Sequence, residues 1–382
     1  MSQYLPAQIT QDIQRRGYSR RSFGRFAALM TAGASLPFYN EAVMAQGLSA
    51  MRSLPPDAVK INANENPMGP CQEAAEAIYS AVKKGGRYNY EETFAFQKTQ
   101  ADVDGVKPNY VLAYAGSSAP LHYAVMAFTS KDRPLVTADP GYEAAERAAQ
   151  FIGAKVIRVP LAKDFSQDVK AMVAAHSTPG LFYVCNPNNP TGTITKKSDI
   201  EWLIANKPAG STVLLDEAYM HLTNEPFGAD FVAADKDVII LRTFSKLYGM
   251  AGLRAGAAIA RPDLLAKIQP FGAGAHPMTG MIGATASLKV KNLVPERRKI
   301  IADIRHDTLE WLDKKGYKFT PSQTNCFMVD VKRPGQDVFD AMLAEKVVIG
   351  RVWKSWPNHV RVSVGTREEM EKFKAAFAKV MA

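Results

Sequence analysis

Cysteine is scarce in this chain. Cys71, Cys185 and Cys326 are spread over 382 residues, with neither the spacing of a metal-binding knuckle nor that of a disulfide-stapled domain. The six histidines fall in no metal-ligand pattern, so no metal site is expected. Internal repeats and low-complexity tracts are missing. The formal charge is +10, yet lysine and arginine form no concentrated stripe and no nucleic-acid motif accompanies them, so nucleic acid is not an expected partner. A composition that is 47% hydrophobic and 22% charged is that of an ordinary globular protein with a large core.

The first 45 residues differ from the rest. Arg20-Arg21 stands in Ser19–Phe26, the apolar stretch Phe26–Phe38 follows, and Val43-Met44-Ala45 offers a small-residue exit. This is the charged, apolar and cleavable layout of a secretory signal, and the paired arginines resemble the Tat signal that exports folded proteins. The stretch is 13 residues long, short of the roughly 20 needed to span a bilayer, so no stable membrane span is expected. A periplasmic location follows as an expectation. Five arginines against Asp12 and Glu41 give the segment +3, so its removal would leave +7 of the +10.

Beyond the linker Ser53–Asp57, the stretch Ile61–Pro70 is too rich in turn formers for a helix. Glu73–Lys84 has helical character, with Ala75, Ile78, Tyr79 and Val82 on one face. From about residue 110 to 260, short apolar runs alternate with helical stretches. Strands are expected at Val111–Ala115, Pro134–Ala138, Lys155–Val159, Leu181–Cys185, Thr212–Asp216 and Val238–Arg242. Such βα units imply an α/β fold, a mainly parallel mixed sheet flanked by helices. The expected partition is a signal at 1–45, an N-terminal segment at 46–80, a large domain at 81–282 and a smaller α+β domain at 283–382. Residues 46–80 are expected to pack with the smaller domain.

Ligands of open α/β sheets bind beyond the carboxyl ends of the strands, and four expected strand ends carry polar groups. Gly116-Ser117-Ser118 leads into a helix, where backbone N–H groups and the helix dipole favour an anion, although a capped helix start reads the same way. Cys185–Gly192 presents the Asn189 amide on a backbone fixed by two prolines and a glycine. Asp216 ends an apolar strand, and a buried carboxylate there needs a partner, which a pyridinium N–H supplies. Tyr219 follows three residues on. Lys246 stands after Thr243 and Ser245 and ahead of Arg254. It has the neighbours that hold a phosphate and the amine that captures an aldehyde. Pyridoxal phosphate carries both groups.

Asn-Pro-Thr-Gly, Asp-Glu-Ala-Tyr and Ser-Lys-x7-Arg occur in this order, with 27 and 30 residues between Asn189, Asp216 and Lys246. Together they resemble the fold-type I pyridoxal-phosphate aminotransferases. Asn62–Pro67, Thr243–Arg254 and Val360–Thr366 are most similar to the histidinol-phosphate aminotransferase subfamily. The resemblance covers roughly residues 55–380. It implies Lys246 as the Schiff-base lysine and proton shuttle, and Asp216 on the pyridine nitrogen. Asn189 and Tyr219 would hold the ring oxygen, with Tyr142 stacked on the ring. Ser117, Ser118, Ser245 and Arg254 would bind the phosphate. Tyr88 would reach the neighbouring subunit's cofactor in a homodimer. Arg361, with Asn66 and Asn189, would grip the substrate. The implied reaction moves an amino group from an amino acid, or a histidinol-phosphate-like amine, to a 2-oxo acid in ping-pong fashion. An exported oxidase, decarboxylase or lyase using the same cofactor is the alternative. The chain departs from the subfamily where Trp353 and Trp356 replace a glycine-rich connection, and where Asn89-Tyr90 replaces a proline after Tyr88.

Overall fold

The computed structural model of the protein describes residues 54–272 and 275–382. The expected export signal at 1–45 lies outside the described residues. The first strand, β1 (Val59–Ile61), stands apart from the main sheet. β2 (Val111–Tyr114), β3 (Leu135–Asp139), β4 (Val156–Pro160), β5 (Leu181–Cys185), β6 (Thr212–Asp216), β7 (Val238–Thr243) and β8 (Gly256–Ile259) form one seven-stranded sheet. Its order is β2-β8-β7-β6-β5-β3-β4. Neighbours from β7 to β4 pair in parallel, and β8 runs antiparallel to both β7 and β2. β2, β3, β5, β6 and β7 therefore deliver their carboxyl ends to the same edge.

The continuous apolar runs of the central strands follow from burial on two faces. Along β5, Leu181, Tyr183 and Cys185 enter one hydrophobic core while Phe182 and Val184 enter the other. β6 divides the same way, with Leu214 on one side and Val213 and Leu215 on the other.

Two elements depart from the sequence reading. The strand series does not close at Val238–Arg242, because β8 follows it. Its residues, Gly-Ala-Ala-Ile, have weak strand propensity, and pairing on both edges imposes the conformation. Helix Tyr90–Asp104 was also not anticipated, because Tyr90, Phe94 and Val103 face outward and leave no clean apolar stripe toward the core. Helix Gln72–Ala81 forms within the expected Glu73–Lys84 stretch, with much of its apolar stripe turned to solvent. Ala74 and Ala81 are buried against the protein while Tyr79 and Val82 are exposed.

The C-terminal elements are β9 (Lys318–Phe319), β10 (Cys326–Asp330), β11 (Val347–Ile349) and β12 (His359–Ser363). β12, β10 and β9 form an antiparallel sheet, and β1 pairs in parallel with β11, Val59 opposite Val347. Helix Arg367–Met381 opens with a capping box between Thr366 and Glu369, which satisfies two otherwise orphaned N–H groups.

A buried ionic triad ties the ends of two adjacent central strands to helix Tyr90–Asp104. Arg242 of β7 is 1% exposed. Its guanidinium lies 2.9 Å from Asp104 and in direct contact with Glu217, which follows β6. The other oxygen of Glu217 accepts from the Gly228 N–H at 2.8 Å. Removing one member of such a group leaves buried charge uncompensated. Arg242→Met is expected to cost about 3–5 kcal/mol, read from urea unfolding. A loss below about 1 kcal/mol, the range of an exposed pair, would show that the triad does not hold these ends.

Candidate active site

Lys246 lies in the loop that leaves β7 and is 8% exposed. Its Nζ donates to the Ala63 carbonyl at 3.2 Å and stands 5.4 Å from the centre of the Tyr219 ring. Asp216, the last residue of β6, is buried. One of its oxygens accepts from the Tyr183 hydroxyl at 2.9 Å and the other from the Ala218 N–H at 3.1 Å. Burial pushes its pKa up to about 6, against the lowering effect of those two bonds and the Lys246 charge. Among the described residues no cation lies within salt-bridge distance of this carboxylate. It is therefore a buried acid whose two contacts are both neutral donors.

Between β2 and helix Ser118–Phe128, Gly116 takes φ +93°, and a Cβ there would lie 2.3 Å from the Arg254 guanidinium. Arg254 reaches over the glycine to the Ala115 carbonyl at 2.9 Å and to Ser245 Oγ at 3.3 Å. Ser245 Oγ also accepts from Thr243 at 3.0 Å. Ser117 makes no side-chain cap on the helix start, so its hydroxyl is not committed there. The helix N–H groups, three serines and one guanidinium thus converge, and burial lowers the Arg254 pKa while the nearby Tyr142 hydroxyl opposes this. This donor set fits a phosphate, and the lone Asp216 carboxylate fits a pyridinium. The residues present therefore suit pyridoxal phosphate.

Asn189 Oδ1 accepts from Arg361 at 3.0 Å. Arg361 is fully buried on β12, and its guanidinium also contacts the Asn62 carbonyl. Asn66, expected at the substrate, gives its amide to the Leu247 carbonyl at 2.7 Å and so clamps the backbone beside Lys246. The asparagine that reaches Tyr219 is Asn64, whose Nδ2 donates to the phenol at 3.0 Å. Asn64 adopts φ 52° and exchanges two bonds with Ser363. Asn62–Asn66 holds three asparagines, and the sequence does not say which one turns inward. Tyr183, which steadies Asp216, was concealed within an apolar strand. Tyr88 is exposed and stacks on Tyr90 with centroids 5.7 Å apart, outside the cluster of its own chain.

Of the two tryptophans, Trp353 packs beside this cluster, while Trp356 meets Phe165 and His359. Trp353 is buried, donates to the Gly141 carbonyl at 2.8 Å, and lies under the Arg351 guanidinium at 4.2 Å. Arg361 stands 5.4 Å from the same ring. Arg351 is itself ion-paired with Glu143, the residue after Tyr142.

Comparisons with known proteins bear on the family and the fold. The family model for aminotransferase class I and II matches residues 56–377. A histidinol-phosphate aminotransferase of Nitrosococcus oceani is 34% identical over 325 residues, 83% of this chain and 87% of the relative. One of Moorella thermoacetica is 32% identical over 338 residues, 85% and 86% of the two chains. The solved histidinol-phosphate aminotransferase from Sinorhizobium meliloti, in complex with pyridoxal-5'-phosphate, has a TM-score of 0.79 at 25% identity, covering 91% of this chain and 95% of that one.

Two outcomes follow from the geometry. Gly116→Ala adds a methyl where Arg254 lies, at a backbone angle that favours glycine, and is expected to weaken cofactor retention about tenfold or more through the lost charged hydrogen bond. Equilibrium dialysis measures this, and unchanged retention would contradict it. The raised pKa of Asp216 means that its stabilising contribution in cofactor-free protein is complete below its ordinary value of 3.8 and drains away as pH rises through about 6. Asp216→Asn should flatten that part of the stability profile, and an unaltered slope would show that another group is responsible.

Proposed function

The chain belongs to the aminotransferase class I and II family, and from that premise we propose how its residues divide the work of pyridoxal-phosphate-dependent transamination. The cofactor, when bound, supplies an aldehyde for amines and a ring that draws electrons from the substrate's α carbon. Lys246 holds the cofactor and, once displaced by the substrate amine, moves the α proton. Its burial and Asn66's grip on the following backbone support this role. Asp216 keeps the ring nitrogen protonated, and Tyr183 orients the carboxylate. Asn189 and Tyr219 hold the ring oxygen, with Asn64 fixing the phenol. Tyr142 covers the ring face, and Ser117, Ser118, Ser245 and Arg254 receive the phosphate. The observation that carries the reading is the convergence of Asp216, at the end of β6, with Lys246 and Arg254 in the loop between β7 and the antiparallel β8.

Arg361 receives the anionic group of the substrate, an amino acid or a histidinol-phosphate-like amine. Its burial and its bond to Asn189 favour a carboxylate or phosphate arriving beside the cofactor ring. Glu143 already neutralises Arg351, so a second anionic group on the substrate would compete with an existing ion pair. Trp353, between Arg351 and Arg361, packs against both guanidiniums and so helps to hold Arg361 in place.

The active unit is a homodimer. Of nine large hydrophobic side chains exposed among the described residues, six fall in one stretch: Tyr79, Val82, Tyr88, Tyr90, Phe94 and Val103. A concentrated apolar surface of this kind is suited to a partner, and a two-fold interface would carry Tyr88 toward the other subunit's cofactor. The twin-arginine segment supports export in folded form, with the cofactor already inserted.

Purified protein supplied with histidinol phosphate or single amino acids should transfer the amino group stoichiometrically to a 2-oxo acid. Ammonia release without an acceptor would overturn the assignment. Arg361→Met should lower kcat/KM for the preferred donor by about 10–100-fold, the value of a lost charged hydrogen bond, mostly through KM. An unchanged KM would place the anion elsewhere.

A further inference from the structure

The helix Leu293–Lys314 carries a second gathering of positive charge. Arg298, Lys299, Arg305 and His306 line an open cleft of about 510 Å³ that is also lined by Thr223-Asn224 and Ser322-Gln323. No acidic side chain lines the cleft, and it shares no residue with the cluster around Lys246. Residues 298, 302, 305 and 306 follow one another at helical spacing, so the cationic groups share a face.

Arg305 is the telling member. It is 5% exposed. Its Nη1 donates to the Thr324 carbonyl at 2.8 Å, its Nε meets no acceptor, and no carboxylate among the described residues lies within salt-bridge distance. Arg298 likewise has only neutral partners, the His221 carbonyl at 3.0 Å and the Asn224 side chain. Burial lowers the pKa of both arginines, and no carboxylate appears among the causes that oppose it. Lys299, by contrast, is already paired with Asp303 at 2.7 Å. A buried guanidinium without a counter-charge is costly, and its planar fork matches two oxygens of one anion.

We propose that this cleft binds a small oxyanion, a carboxylate or phosphate group, between Arg305 and Arg298. The site is built into a loop that also serves the catalytic cluster. Thr324, which Arg305 holds, precedes Asn325, whose amide binds the carbonyls of Asn64 and Glu65 at 3.1 and 3.2 Å. Asn64 in turn reaches Tyr219.

The test is calorimetric titration of the cofactor-loaded enzyme, in which the cofactor's own phosphate position is filled, with inorganic phosphate and separately with succinate. Arg298→Met and Arg305→Met should each weaken binding of the preferred anion about tenfold or more, while Arg361→Met keeps it. The stronger of the two titrants identifies phosphate or carboxylate as the occupant. Arg298 contributes less to the packing of the loop, so its variant preserves the test if Arg305→Met unfolds. Binding equal in the parent and Arg298→Met, binding lost only in Arg361→Met, or no binding of either anion by the parent would each overturn the proposal.

Discussion

Arg242, held between Asp104 and Glu217, fixes the one edge of the sheet on which everything else depends. The residue before Glu217 is Asp216, and the loop from Arg242 leads within four residues to Lys246. One desolvated guanidinium therefore reinforces the β6–β7 pairing, in which Asp216 lies opposite Leu241, next to the loop that carries the amine. The third member comes from helix Tyr90–Asp104, so the helix that presents much of the exposed apolar surface is anchored to the same point. A change on that surface has a short covalent and ionic path to the catalytic strand ends.

The site itself is held in an unbalanced state by its surroundings. Asp216 is buried with two neutral donors and, among the described residues, no cation in contact, and Arg254 is drawn over a glycine toward neutral acceptors. Each is costly in isolation, and in the proposed arrangement each would be relieved by one end of the same cofactor, the ring nitrogen for the carboxylate and the phosphate for the guanidinium. Lys246, between them, lies under the Ala63 carbonyl and beside the Tyr219 ring, with Asn64 and Asn66 bracketing it from the N-terminal segment. That segment is therefore part of the active site as well as a pairing partner for β11.

The parallel strands were legible because burial on both faces demands continuous apolar runs, and the chemistry at their ends was legible because Asn189, Asp216 and Lys246 each follow such a run. Where packing overrides local preference, the sequence is silent. β8 is a glycine and alanine segment that only its two neighbours make into a strand. Helix Gln72–Ala81 has a readable apolar stripe, but a single chain cannot reveal that the stripe faces outward. Contacts between distant residues were equally hidden. Arg351 meets Glu143, and Asn64 meets Ser363, across separations that no local pattern records. The choice of Asn64 rather than Asn66 at Tyr219 depends on a left-handed backbone angle within a run of similar residues.

What most distinguishes this chain at its substrate end is the stack of Arg351, Trp353 and Arg361, with Glu143 closing one side. In the proposed reading it narrows anionic recognition to the neighbourhood of Arg361. Substrate choice follows from that neighbourhood, but every part of the account requires one covalent anchor. Borohydride reduction of the cofactor-loaded enzyme, followed by peptide mapping, tests this most directly. The account predicts a single modified peptide carrying the cofactor on Lys246. Label on another lysine, or none, would contradict it.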